Sequence, residues 1–182
     1  KHVDSQIQSA FLKGDTQEPL LLFFPDEQIQ AAAGEKIKIK FEIDTNPAPF
    51  AQFSQRYRLL PAPYQVRLYD EPSLFAGKIH AVLCRGWKNR IKGRDLYDYV
   101  FYLSRNTTVN LAHLRAKLMQ TGFLQDGAEF EMAHLQNALF ERFHAIDYEN
   151  AKADVTPFLS NQSSLDLWSE DFFCDITKNL LR

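Results

Sequence analysis

The sequence predicts an α+β fold in which a small sheet precedes a helical lobe, and three observations carry that reading. Residues 35 to 44 alternate polar and apolar with a period of two, as a strand with unlike faces does. After Asp70 the apolar residues recur every three or four positions, as in helices that bury one face. With 45% hydrophobic residues over a length of 182, the chain also has enough apolar material for a core without disulfide staples.

In chain order, residues 1 to 13 are expected to be helical. The apolar run Leu20-Leu21-Leu22-Phe23-Phe24, closed by Pro25, is the first strand candidate. In Lys36 to Asp44, the side chains of Ile37, Ile39, Phe41 and Ile43 share one face and are expected to meet the core. Lys36, Lys38, Lys40, Glu42 and Asp44 take the other face. Phe53 to Leu60 and Tyr64 to Tyr69 are further strands, separated by the turn-forming Pro61-Ala62-Pro63. Ser73 is placed to cap a helix that runs to about Cys84. A second helix follows from about Arg94 to Ser104, with Leu96, Val100 and Leu103 at helical spacing. Leu111 to Gln120, Ala128 to Ala145, Tyr148 to Leu159 and Ser164 to Leu181 read as further helices. The boundary is expected near residue 70: 1–70 a partial sheet region and 71–182 the helical lobe, together one compact unit.

Composition excludes several function classes. The 21 Lys and Arg against 23 Asp and Glu give a net charge of −2, which argues against polyanion binding over the whole surface. Cys84 and Cys174 form no C-x-x-C arrangement, so neither a disulfide framework nor a structural zinc site is indicated, and reduced thiols in a cytoplasmic setting are expected. The longest apolar run is far below the roughly 20 residues of a membrane span. The five histidines lack H-E-x-x-H spacing, and G-x-S-x-G, P-loop and G-x-G-x-x-G sequences are missing.

Three features can carry chemistry. Glu42 and Asp44 put carboxylates on one face of a strand, where a hard cation such as Mg²⁺ could find oxygen ligands, although three lysines on that face also suit a solvated edge. Arg85-Gly86-Trp87-Lys88-Asn89-Arg90-Ile91-Lys92-Gly93-Arg94 concentrates five cations in ten residues, a natural target for phosphate with Trp87 able to stack on a base, or else a charged turn. The third is the flanking helix pair. Lys78 and Arg85 lie two turns apart on one face, and Asp95 and Asp98 fall in the opening of the next helix, where Asp98 can pair with Arg94 or Lys78.

The segment Lys36 to Asp44, then Leu74-Phe75-Ala76-Gly77-Lys78-Ile79-His80-Ala81-Val82-Leu83-Cys84-Arg85, then Lys92-Gly93-Arg94-Asp95-Leu96-Tyr97-Asp98, together resemble the AbiEii/AbiGii toxin family. Its members are nucleotidyltransferase-like proteins of bacterial abortive-infection and toxin–antitoxin systems. The resemblance implies a nucleotidyltransferase-like mixed sheet followed by a helical bundle, and transfer of a nucleoside monophosphate from an NTP, with Mg²⁺, to an acceptor such as RNA. A cognate antitoxin is an implied partner, and no membrane is. By the same resemblance Glu42, Lys78, Asp95 and Asp98 are catalytic candidates and Glu42 and Asp44 metal ligands. Lys78, Arg85 and Arg94 would hold the nucleotide phosphates.

The sequence departs from the family pattern in one respect. No glycine is followed by Ser and no two aspartates stand two apart, so the G-S and D-x-D motifs are missing. With Lys1 at the start, the expectation is a C-terminal portion that is inactive alone. The alternative is a non-catalytic module that binds nucleotide, RNA or antitoxin.

Overall fold

The computed structural model describes residues 7–15, 36–87 and 91–180. It has an α+β fold, as the sequence predicts, and divides into two compact units between Pro47 and Ala48.

In the first unit, β1 (Ile7–Asp15) pairs antiparallel with β2 (Lys36–Asp44), with Ile7 opposite Asp44 and Asp15 opposite Lys36. The expected N-terminal helix is thus corrected to a strand over Ile7–Asp15: ladder pairing along β2 supplies its backbone hydrogen bonds. The Leu20 to Phe24 candidate lies outside the described residues. The expected burial of the β2 apolar face is also corrected, because Ile39, Phe41 and Ile43 are all about half exposed or more. A two-stranded ribbon has no second layer of its own to bury a face against.

In the second unit, β3 (Phe53–Arg58) and β4 (Tyr64–Tyr69) form an antiparallel hairpin with Phe53 opposite Tyr69. Among the described residues six helices follow: α1 (Glu71–Cys84), α2 (Gly93–Ser104), α3 (Leu111–Gln120), α4 (Met132–His144), α5 (Tyr148–Val155) and α6 (Glu170–Thr177). A 3-10 turn, Thr156–Phe158, extends α5, and another spans Ser163–Leu165. The periodicity located the helices and overran their ends. Predicted helices reaching Leu159 and beginning at Ser164 are instead shortened, each with a 3-10 turn in place of a helical one.

Contacts divide the chain at residue 47 rather than at residue 70 because the hairpin is bonded to the helices. The Asp70 N–H donates to the Gln52 carbonyl at 3.0 Å, and the Gln52 N–H to the Ser73 hydroxyl at 2.9 Å. Asn110 Nδ2 donates to the Phe50 carbonyl at 2.9 Å, and the buried His113 ring meets the Pro49 carbonyl at 2.8 Å. These bonds also correct the cap of α1. Asp70, not Ser73, accepts the Ser73 N–H at 2.9 Å, and Ser73 is buried as a bridge to the hairpin.

The core is helical. Phe75, Ile79 and Val82 of α1 are fully buried with Leu96 and Tyr99 of α2, Leu114 and Leu118 of α3, and Leu135, Leu139 and Phe143 of α4. Each large apolar side chain so buried contributes about 1.5–3 kcal/mol before conformational entropy is counted. Phe143 and Phe173 bring α4 and α6 together with ring centroids 5.1 Å apart. This packing fixes α1 against α2 and so positions the charged residues between them.

Candidate functional site

The charged residues singled out in the two helix motifs meet as two ion pairs. Lys78 Nζ donates to Asp98 Oδ2 at 2.7 Å. Arg85 Nη1 stands 3.1 Å from Asp95 Oδ2. Moving up α1 from 78 to 85 corresponds to moving back along α2 from 98 to 95, so the two helices run antiparallel across this contact. The cations are two turns apart and the carboxylates one, and the long, flexible Lys and Arg side chains span the difference.

The two pairs differ in surroundings. Lys78 and Asp98 are partly exposed, so their pairing is worth about 0–1 kcal/mol. The Asp95 side chain is only 5% exposed while Arg85 keeps 38%. Burial raises the Asp95 carboxyl above its ordinary value, and Arg85, the Trp87 indole and Arg94 oppose that rise. The arrangement is imperfect: among the described residues, neither Asp95 Oδ2 nor Trp87 Nε1 completes a well-aligned hydrogen bond. Arg85 is therefore held by charge and not by a fork geometry, and the pair with Asp95 does not take up all five guanidinium N–H donors. Lys78 likewise uses one of three donors on Asp98.

The loop between these helices is anchored at both ends. Arg142 of α4 donates from Nε to the Val82 carbonyl at 2.9 Å and from Nη2 to the Arg85 carbonyl at 2.7 Å. It thereby satisfies two carbonyls at the C-terminal end of α1, where a cation is also favoured by the helix dipole. Its guanidinium lies 4.0 Å from the centre of the Trp87 ring. That contact corrects the expectation that Trp87 stacks on a base, since one ring face is covered by Arg142 and the side chain packs on the core. At the other end, the Ile91 N–H donates to Asn150 Oδ1 at 3.0 Å. Gly93 then opens α2 so close to α5 that a Cβ there would lie 2.0 Å from the Ala151 carbonyl oxygen. Residues 88–90, which supply Lys88 and Arg90 to the basic run, lie outside the described residues.

Arg94 points elsewhere. With Lys92, Tyr97, Val155, Phe158 and Leu159 it lines a cleft of about 390 Å³ between the start of α2 and the end of α5. A second cleft, of about 410 Å³, has His80, Cys84, Arg85, Thr121 and Phe123 in its walls. His80 meets Thr121 Oγ1 at 3.1 Å, and its pKa is lowered to about 4 by burial first and then by Lys117, His113 and Arg85. Its ring is neutral at physiological pH. Burial pushes the Cys84 thiol up, so it is no activated nucleophile.

Glu42 and Asp44 belong to the first unit. Glu42 is ion-paired with Lys40, and Asp44 Oδ1 accepts the Asn46 N–H at 3.0 Å. Among the described residues no group of three or more His, Cys, Asp or Glu side chains is placed to hold a metal ion. Two carboxylates on one strand face fit Mg²⁺ only where phosphates and water complete its shell. Sequence reading missed Arg142, whose partners lie 57 and 60 residues away, and Phe158, an apolar residue in a segment that the pattern treated as helix. A lone arginine beside the apolar stripe Leu135, Leu139 and Phe143 was the available signal for the former.

Among the described residues no helix is long and apolar enough to cross a membrane. A family model described as nucleotidyl transferase AbiEii toxin, type IV TA system, matches residues 1–173. Neither the curated proteins nor the solved structures gave a match.

Proposed function

Since the chain belongs to the AbiEii nucleotidyl transferase toxin family of type IV toxin–antitoxin systems, we propose that its helical unit binds the triphosphate of an NTP through Lys78 and Arg85, with Arg94, which lines the separate Tyr97 and Phe158 cleft, outside that site. The observation that carries this reading is the pair of ion pairs, Lys78 with Asp98 and Arg85 with Asp95. Each aspartate holds its cation in place while leaving donors and part of the cation's surface open, which is how a positioned phosphate site differs from a solvated charge run. In the reaction of this class an acceptor oxygen attacks the α-phosphorus and the bond to the β-phosphate oxygen breaks. Pyrophosphate then leaves with the electron pair, and the acceptor's proton passes to solvent or a nearby base. Lys78 and Arg85 would orient the phosphates and offset their charge.

Glu42 and Asp44, on the strand of the first unit, are proposed as carboxylates able to ligate Mg²⁺, which would supply charge neutralisation for a phosphate. Asp95 and Asp98 are committed to cations and serve as positioning residues. RNA is the proposed acceptor class, and an antitoxin the proposed partner. These 182 residues are proposed to bind nucleotide without completing transfer, because the G-S and D-x-D motifs that hold the family's metals are missing from the sequence.

The test is a fluorescence titration of the full chain with mant-labelled ATP and GTP, with and without Mg²⁺, beside labelling with α-³²P NTPs. Binding that weakens at least tenfold in Lys78→Ala, with no label transferred, is the expected result. Equal affinity of wild type and Lys78→Ala would refute the site, and label transfer by the wild-type chain would refute its inactivity. Glu42→Gln is expected to weaken binding of Mg²⁺ alone to the full chain, read by isothermal titration.

A further inference from the structure

We propose that the outer face of α2, together with the cleft at its N-terminal end, is a binding surface for a single-stranded polynucleotide. The inference deepens the function proposed above, on which it rests, by assigning the seat of the acceptor strand.

Arg94, Tyr97, Phe101 and Arg105 follow one another at steps of three, four and four residues, which keeps them along one face of the helix and its C-cap. At 1.5 Å per residue this stripe is about 16 Å long. Tyr97 is 42% and Phe101 45% exposed, and across the cleft Phe158 is 81% exposed. Three aromatic rings open to water within reach of cations are an uncommon use of surface, because such rings are usually buried or engaged. The Arg105 guanidinium already sits 5.4 Å from the Phe101 ring centre while also pairing with Glu71 at 3.1 Å. The cleft is lined by the cations Lys92 and Arg94, the carboxylate Asp154, and the apolar Tyr97, Val155, Phe158 and Leu159.

The chemistry that fits is a string of flat, apolar faces joined by anions. Bases stack on Tyr97, Phe101 and Phe158, and phosphates meet Lys92, Arg94 and Arg105. A duplex buries its base faces within its own stack and cannot offer them, so the surface selects single strands. A mononucleotide, held by its phosphates at Lys78 and Arg85, would leave both the cleft and the stripe empty. The position also suits an acceptor. Arg94 stands one helical turn before Asp98, the partner of Lys78, so a strand end seated in the cleft lies about a turn of helix from the proposed phosphate site.

The test uses the full chain and fluorescein-labelled 12-mers of mixed sequence: single-stranded RNA, single-stranded DNA and an RNA duplex, read by anisotropy at fixed salt. Binding of the single strands at least tenfold tighter than the duplex is expected, and the RNA and DNA arms show whether the 2′-hydroxyl is read. Phe158→Ala and Tyr97→Ala should each weaken single-strand binding at least fivefold, Phe158→Trp should retain it, and mant-nucleotide affinity should not change in Phe158→Ala. Because Phe158 is so exposed, circular dichroism should show this variant folded, and the Trp variant repeats the test with the ring kept. No single-strand binding by the wild type, or unchanged binding in both alanine variants, overturns the proposal. Neither result touches the nucleotide site, which Lys78→Ala tests separately.

Discussion

Gly93→Ala and Gly77→Ala put the same methyl group on two helices of one unit, and the structure predicts opposite signs. At Gly77, inside α1, a Cβ would meet nothing within 4 Å. The ordinary helix-propensity gain of about 0.5–1 kcal/mol should therefore appear in full. At Gly93 the same atom would lie 2.0 Å from the Ala151 carbonyl oxygen, 3.0 Å from its carbon and 3.1 Å from Val155 Cγ1. That is more than an ångström short of ordinary contact against backbone, which cannot rotate aside. The start of α2 must then move off α5, loosening the buried Val155 and the anchoring bond from Ile91 to Asn150. Overpacking of this kind costs about 1–3 kcal/mol, which outweighs the propensity gain. With roughly 3 °C of Tm per kcal/mol for a chain of this size, the net loss of about 0.5–2 kcal/mol should make Gly93→Ala melt about 2–6 °C below wild type, and Gly77→Ala about 2–3 °C above it. Differential scanning calorimetry on both proteins measures this directly. A Gly93→Ala protein that melts at or above wild type would show that α2 and α5 do not approach as described.

Arg142→Leu should destabilise by about 2–4 kcal/mol, because two partly buried carbonyls lose their donor and Trp87 loses its covering cation. In a Trp168→Phe background the Trp87 emission should shift to the red as the loop opens, and an unshifted spectrum would contradict the clamp. Tyr99→Phe should cost only about 1 kcal/mol in urea unfolding, since Thr177 keeps its bond to the Phe173 carbonyl after losing the 2.8 Å bond to Tyr99. For His80, whose folded pKa of about 4 lies below the ordinary 6.5, the unfolded chain takes up the proton first as pH falls. Its contribution is complete above pH 6.5 and is lost on going down through about 4. The gap is worth at most ~3 kcal/mol, which screening at a partly exposed ring reduces to about 1–2 kcal/mol. The slope of stability against pH between 6.5 and 4 should be shallower in His80→Gln, and an unchanged slope would place the imidazole in water.

Period was what the sequence could express. Alternation over residues 35 to 44 placed one strand within a residue and that over 64 to 69 placed another to the residue, and apolar spacing fixed α3 at Leu111–Gln120 and placed α1 and α2 within a residue or three. These patterns are local, because strand and helix geometry repeats within a few residues of the chain. The same locality made Lys78, Arg85, Asp95 and Asp98 legible as a set: each pair lies on one helix face at a spacing that geometry alone dictates. It also explains the error at residues 1 to 13, where a strand is held by a partner some thirty residues on and the sequence carries no alternation of its own.

Tertiary structure decided which charges meet and what surrounds them. The sequence left Asp98 a choice between Arg94 and Lys78, and packing of α1 on α2 settled it for Lys78 while sending Arg94 to the Tyr97 and Phe158 cleft. Desolvation depends on everything nearby in space, so nothing in the residue order distinguished the buried Asp95 from the partly exposed Asp98, three positions later. Arg142 reaches its carbonyls only because four helices share one core, and the hairpin is tied to the helices by the segment that leads into it, through Pro49, Phe50 and Gln52 with His113, Asn110 and Ser73. Periodicity reports which face of an element is apolar. Only the packing of those faces against one another determines which polar groups end up opposite each other, and at what dielectric.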